Sequence, residues 1–339
     1  MPQREPSQPP QPIVSWITLL KASRPGWWLV TFWMYILPTA QQSAVFSTWR
    51  FWLGLLYCTL PLNMLVYVWN DFADYDYDRK NLRKDSYLYG AKASRADLAL
   101  LLSWTFWMQL PSALILTLAD LNSNDAPAGF EVLRVPVWFA LCGFGVNGLY
   151  NHPRTRLSER PPFDLLAPAG YLTVGLLSSW LNRTPAMTNF FWLYNLFLVL
   201  QTQVWAQLVD IHVDEAAGRI TTAVRLGVTR TRLLLGAVLA AESVYVWANT
   251  ADTCLRVFTG MSVALPVIST AVPQVIRAFC VVLCFFHLEH RCTYVLNDSL
   301  SSQGARGKKV AAQLHMLGYA MNCGGVGLLL WCWAHGVLR

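Results

Sequence analysis

The chain has 339 residues, of which 55% are hydrophobic and only 13% charged, with a formal net charge of +7. Soluble domains carry roughly a quarter charged residues, so this composition excludes an ordinary soluble fold and implies a polytopic membrane protein. The basic residues stand in short loops between apolar runs, which argues against nucleic acid and for anionic lipid headgroups or an anionic substrate.

The N-terminus, "MPQREPSQPPQP", is rich in Pro and Gln. Residues 1–20 are expected to be disordered, with a single transmembrane domain over 21–339. Nine apolar stretches follow in order: 26–46, 51–69, 96–119, 133–150, 165–181, 190–209, 233–250, 257–286 and 314–338. Most reach the ~20 residues needed to cross a bilayer core. The fifth is short, which suits a tilted or partly re-entrant segment, and Pro266 and Pro273 interrupt the eighth. Nine crossings divide the loops into two sets. The set that includes the N-terminus holds 20 of the 26 Lys and Arg, and the other holds five. That asymmetry supports the count and puts the N-terminus on the cytosol-like side. The expected fold is an all-α integral membrane bundle of about nine helices, with an interhelical cavity opening at the basic side. The eight cysteines form no CxxC pair and lie mostly in apolar stretches, where they read as packing residues.

Two acidic clusters break the apolar pattern. "NDFADYDYDRKN" follows the second stretch. If the helix continues beyond the membrane, Asp71, Asp74 and Asp78 fall at i, i+3 and i+7, on one face. Three stacked carboxylates repel one another. The candidates to compensate them are a cation or the local Arg79, Lys80, Arg83 and Lys84. "DIHVDEAAGRITTAVRLG" follows the sixth stretch, with Asp210 and Asp214 one turn apart and Gly218 a turn further on. Both clusters lie on the basic side, so they can face each other across a bundle. Hard oxygen ligands in this arrangement suit Mg²⁺, which keeps several waters and bridges to phosphates. His212 reads as a surface residue, because Mg²⁺ prefers oxygen.

With these residues the sequence resembles the UbiA superfamily of intramembrane prenyltransferases. The first motif of that family, N-D-x-x-D-x-x-x-D, is matched by Asn70, Asp71, Asp74 and Asp78. The second, D-x-x-x-D followed by a glycine and threonines, is matched by Asp210, Asp214, Gly218, Thr221 and Thr222. Arg24 and Pro25 match the Arg-Pro pair that opens the first helix. The look is closest to lycopene-elongase-like members, whose first motif continues D-x-x-N-P-R-K. Here it reads "DRKNLRK", with Leu82 in place of proline. "YNHPRTRLSERPPFD" resembles a further loop motif through Tyr150, Pro153, Arg156, Arg160, Pro161 and Asp164. Ser158 stands where relatives often have lysine, and Arg154 is the candidate substitute.

The resemblance implies transfer of a prenyl group from an allylic isoprenoid diphosphate of C10 to C20 to a hydrophobic acceptor, with Mg²⁺ as cofactor. It implies catalytic and metal-binding roles for Asp71, Asp74, Asp78, Asp210 and Asp214. Asn70, Arg24, Arg83, Lys84, Tyr150, Arg154, Arg156 and Arg160 would bind the substrate. A departing diphosphate needs its growing charge neutralised, and arginine suits bidentate contact to its oxygens. The allylic cation left behind needs a dry, apolar cavity. The same superfamily contains membrane terpene cyclases, which ionise the same substrate and close it on itself. An ion-transport path is the other class considered. The carboxylates sit just beyond the span ends, which favours a headgroup-facing site over such a path. The expected partners are the diphosphate, an acceptor and membrane lipid, with no nucleic acid. The expected location is a membrane, that of the endoplasmic reticulum if the source is eukaryotic.

Overall fold

In the computed structural model, the described residues are 14–39, 43–79, 81, 84–87, 89–122, 127–184 and 189–249. Helix α1 (Trp16–Ala22) begins at a Ser15 N-cap, whose hydroxyl accepts from the Thr18 amide at 3.1 Å. It therefore starts inside the stretch 1–20 expected to be disordered. Arg24, in the left-handed region at φ 49°, turns the chain into a short 3₁₀ turn and α2 (Trp28–Ile36). Within the first apolar stretch, 26–46, α2 is only nine residues long. Pro38 disfavours helix at Leu37 before it, and among the described residues 3₁₀ turns follow, at Leu37–Thr39 and Ser43–Ser47.

Next come α3 (Trp49–Ala73), the single turn α4 (Tyr75–Asp78) and α5 (Arg95–Leu121). A capping box between Ser94 and Asp97 sets the start of α5. The fourth apolar stretch is helical from Gly129 to Asn151. It contains α6 (Arg134–Trp138), a π-helical segment Phe139–Gly145 and α7 (Val146–Asn151). The fifth stretch resolves into α8 (Phe163–Leu166), a 3₁₀ segment containing Pro168, and α9 (Thr173–Asn182). The last two helices are α10 (Asn189–Ala217) and α11 (Thr222–Asn249), the latter kinked at Gly227.

Four helical stretches among the described residues are long and apolar enough to cross a membrane: Trp49–Ala73, Arg95–Leu121, Gly129–Asn151 and Thr222–Asn249. A fifth is reached if α10, bent by 59° between Leu208 and Asp210, counts as one span. The eighth and ninth expected spans lie outside the described residues. No strand forms among the described residues apart from an isolated Ser86–Gly90 bridge.

Buried polar groups join the helices where lipid offers no partner. Gln109 of α5 donates to the Pro61 carbonyl and accepts from the Tyr57 hydroxyl, both at 3.1 Å, and Asn63 donates to Thr31 of α2 at 2.9 Å. At one end of the bundle Asp120 is buried between Arg134, bound by two hydrogen bonds of 2.8 and 2.6 Å, and Arg183 at 3.1 Å. At the other end meet the C-terminus of α3, the loops after α4 and α7, and the α10–α11 turn, as the ion pairs below demonstrate. That end carries the basic loops.

Candidate active site

The last turn of α3 presents Asn70 and Asp71. The Asp71 side chain is 2% exposed, and its Oδ1 accepts from both Arg24 and Lys84, the latter at 2.8 Å. The Arg24 guanidinium lies over the Tyr67 ring, 4.8 Å from its centroid, and the Tyr67 hydroxyl accepts from Tyr171 at 3.0 Å. The second oxygen of Asp71, Oδ2, is buried and accepts no hydrogen bond from the described residues. Gly90 faces it, at φ +92°, and a Cβ there would fall 2.6 Å from Oδ2. Lys84 also reaches Asp78 Oδ2 at 2.7 Å. Burial pushes the Asp78 carboxyl up to about 6, with Asp71 and Asp74 adding to the rise while Lys84 and Arg24 oppose it.

The expected single helix through Asp78 does not form. α3 ends at Ala73, Asp74 leaves helical geometry at φ −94°, ψ 13°, and α4 restarts the chain. The break turns the Asp74 carboxylate toward the other loops. Arg156 meets its Oδ1 at 3.0 Å and Arg219 meets its Oδ2 at 2.9 Å. Asn70 also donates to Asp74, at 3.0 Å, and to Asn151 at 3.2 Å. Asp71 and Asp78 still share Lys84, so the first cluster stays together by ion pairing rather than by helical register.

The second cluster ends α10. Gly218 takes the left-handed conformation at φ +77°, and the Arg219 amide closes the turn onto the Asp214 carbonyl at 2.8 Å. This directs the Arg219 side chain inward, where Nη1 lies 3.9 Å from Asp214 Oδ1 while Nη2 holds Asp74. One guanidinium therefore links the two acidic clusters. Its charge is held firmly, because the carboxylates outweigh the burial that would lower its basicity. Tyr77 lies between Arg156 and Arg219, with their guanidinium carbons 5.5 and 5.9 Å from its ring centroid. Asp210 is half-buried one turn before Asp214, and His212 is exposed.

Asp164 fixes this corner. Its carboxylate accepts from the Thr222 amide and hydroxyl, both at 2.6 Å, and from Gln207 at 2.8 Å. It thus caps α11 and ties the loop carrying Arg156 to α10. Tyr150 lies beside this junction, within electrostatic reach of Arg219, Asp74 and Asp164.

Of the expected substrate-binding residues, Asn70, Arg24, Lys84 and Arg156 converge on the carboxylates. Arg83 lies outside the described residues. Arg154 and Arg160 are exposed, and the Arg160 guanidinium donates to the Arg154 carbonyl at 2.8 Å rather than to an aspartate. Ser158 is buried. Among the described residues no three His, Cys, Asp or Glu side chains come together as a metal-holding group. Cationic side chains stand between the aspartates instead. Sequence reasoning missed Arg219, although it stands inside the second quoted motif, and it missed Gly90.

No family model matches the sequence. Among solved structures, a UbiA homolog from Archaeoglobus fulgidus bound to DMAPP and Mg2+ superposes with a TM-score of 0.51 at 18% identity, covering 91% of this chain and 99% of that one. This chain shares the fold of that homolog. The same homolog bound to GPP and Mg2+ gives a TM-score of 0.51 at 17% identity, with the same coverage. A lycopene elongase/hydratase from Corynebacterium glutamicum is 26% identical over 224 residues, which are 65% of this chain and 73% of that protein. The likeness to the UbiA homolog is one of fold, and that to the lycopene elongase/hydratase one of sequence.

Proposed function

We propose that this chain is a Mg²⁺-dependent membrane prenyltransferase. It would transfer an isoprenoid group from an allylic diphosphate to a hydrophobic acceptor and release diphosphate. The observation that carries this reading is the meeting of two acidic clusters, 140 residues apart in sequence, at one end of the bundle among Arg24, Lys84, Arg156 and Arg219. Carboxylates and cations in alternation suit a metal–diphosphate pair better than either ion alone. The UbiA homologs bound to DMAPP or GPP with Mg2+ and the lycopene elongase/hydratase support the same class.

The residues fit a hard divalent cation. The donors are all carboxylate oxygens, Asp71 Oδ2 is buried with no hydrogen-bond donor among the described residues, and the missing side chain of Gly90 leaves room beside it. Asp71, Asp74 and Asp78 from one cluster, with Asp210 and Asp214 from the other, would hold Mg²⁺. Bound there, Mg²⁺ supplies neutralisation of the charge that grows on the leaving diphosphate. Arg24, Lys84 and Arg156 would hold diphosphate oxygens by charge-assisted hydrogen bonds. As the carbon–oxygen bond breaks, its electron pair leaves with the diphosphate. The allylic cation is then attacked by a double bond of the acceptor, which afterwards loses a proton. The isoprenoid chain would lie in an interhelical cavity opening at the basic end, where apolar walls keep water from the cation.

The test uses purified protein in lipid with Mg²⁺ and, separately, C10, C15 and C20 allylic diphosphates without acceptor. Diphosphate release and extractable hydrocarbons are followed, and then aromatic or polyene acceptors are added. Product formed only with acceptor is expected. A cyclic product without acceptor would assign a terpene cyclase instead. Asp71→Asn and Asp210→Asn should each nearly abolish turnover while circular dichroism keeps the helical signal. Normal turnover in both would overturn the metal-site assignment.

A further inference from the structure

Both oxygens of Asp74 are already occupied, by Arg156 on Oδ1 at 3.0 Å and by Arg219 on Oδ2 at 2.9 Å. The Asp74 side chain is 3% exposed and that of Arg219 16%, so water screens this pair weakly. A divalent cation that draws on both Asp74 and Asp214 would compete with Arg219, which already pairs with one oxygen of each. The two arginines differ in what they would keep. Arg156 retains Glu159 at 2.7 Å if it loses Asp74. Arg219 is paired with Asp74 and Asp214, the two carboxylates a metal would take. Its Nε is buried with no acceptor among the described residues, a donor available to a bound anion.

We infer that Arg219 is an exchangeable counter-ion that links metal binding to diphosphate binding: it holds the acidic clusters together without ligand and moves onto the diphosphate when metal takes the carboxylates. This rests on the proposed function and adds an order of energetic dependence to it. Metal alone would strip Arg219 of its carboxylates and leave a buried, unpaired guanidinium, which is strongly unfavourable. Diphosphate alone would find the guanidinium committed and would face the Asp74 and Asp214 carboxylates at close range. Together, the metal satisfies the carboxylates and the diphosphate satisfies Arg219, whose fork matches its oxygens. Each ligand therefore raises the affinity of the other by the same factor, as linkage requires.

The experiment uses the full chain in lipid nanodiscs and two probes. Mn²⁺ alone is followed by loss of its free electron paramagnetic resonance signal. A radiolabelled, hydrolysis-resistant geranyl thiolodiphosphate is followed by retention on the nanodiscs, with chelator or with Mg²⁺. Wild type should retain the thiolodiphosphate at least about tenfold better with Mg²⁺ than with chelator. Arg219→Gln should bind Mn²⁺ alone at least about tenfold more tightly than wild type. The same variant should hold the thiolodiphosphate in chelator more weakly, so the two effects run in opposite directions. A merely structural role would weaken both together, and that result, or unchanged Mn²⁺ binding, overturns the inference. Should Arg219→Gln fail to fold, the wild-type comparison still decides, since equal retention with Mg²⁺ and with chelator removes the coupling. Absence of binding of either probe to wild type would instead sink the prenyltransferase reading beneath it.

Discussion

Gly90→Ala adds one methyl group beside Asp71, and two separate effects follow from the geometry. Gly90 sits at φ +92°, held there by a bridge in which its carbonyl accepts from the Asp85 and Ser86 amides at 2.9 and 3.0 Å. A non-glycine residue in such a conformation costs about 1–3 kcal/mol, a factor of roughly 5 to 150 in an equilibrium constant. The new Cβ would also lie 2.6 Å from Asp71 Oδ2, 3.2 Å from Arg24 Nε and 3.5 Å from Lys84 Nζ. Because Asp71 is buried and pinned by Arg24 and Lys84, it has little freedom to yield. The carboxylate must turn away or the loop must lift, and either change removes the oxygen offered to a metal. Gly129→Ala provides the control. It too has a positive φ, +58°, but none of the described residues lies within 4 Å of its Cβ position. The assay compares thermal unfolding midpoints with prenyl transfer per folded molecule. Gly129→Ala should lower the midpoint slightly and leave transfer unchanged. Gly90→Ala should lower the midpoint further and reduce transfer at least about tenfold. Transfer within about twofold of wild type in Gly90→Ala would refute the view that this loop forms a cradle for the Asp71 carboxylate.

Two further substitutions separate architecture from chemistry. Asp164→Asn should destabilise the protein by about 1–3 kcal/mol, since one amide cannot accept the bonds now made by Thr222 and Gln207, and it should reduce transfer by loosening the turn that carries Arg219; an unchanged midpoint in a thermal melt would contradict this. Asp120→Ala strands Arg134 and Arg183 without their shared carboxylate and should cost about 3–5 kcal/mol, while transfer per folded molecule stays within about twofold, because this triad lies at the opposite end of the bundle from Asp71.

The acidic clusters were legible in the sequence because charge is conspicuous in so apolar a chain, and the bias of basic residues put both on one side before any contact was known. Arg24, Lys84 and Arg156 could be chosen from motif and proximity, and they do meet carboxylates. Periodicity misled where one residue governs the backbone. Asp74 leaves helical geometry, so Lys84 joins only Asp71 and Asp78, while Asp74 turns to Arg156 and Arg219 instead of sharing a helical face with them. Proline did the same to the first apolar stretch, long enough by composition and yet broken in space, and to the fifth, already short in the sequence. Arg219 could not be singled out by sequence distance, since its partner Asp74 lies 145 residues earlier and only the closure of the bundle brings them together. One local signal did exist: a glycine after the last turn of α10 permits a left-handed residue, and the cation that follows such a turn is sent back toward the helix it has just left. Where a carboxylate cluster ends a helix, a Gly-Arg pair after it is therefore a candidate counter-ion for that cluster, and here it holds Asp214 from one side and Asp74 from the other.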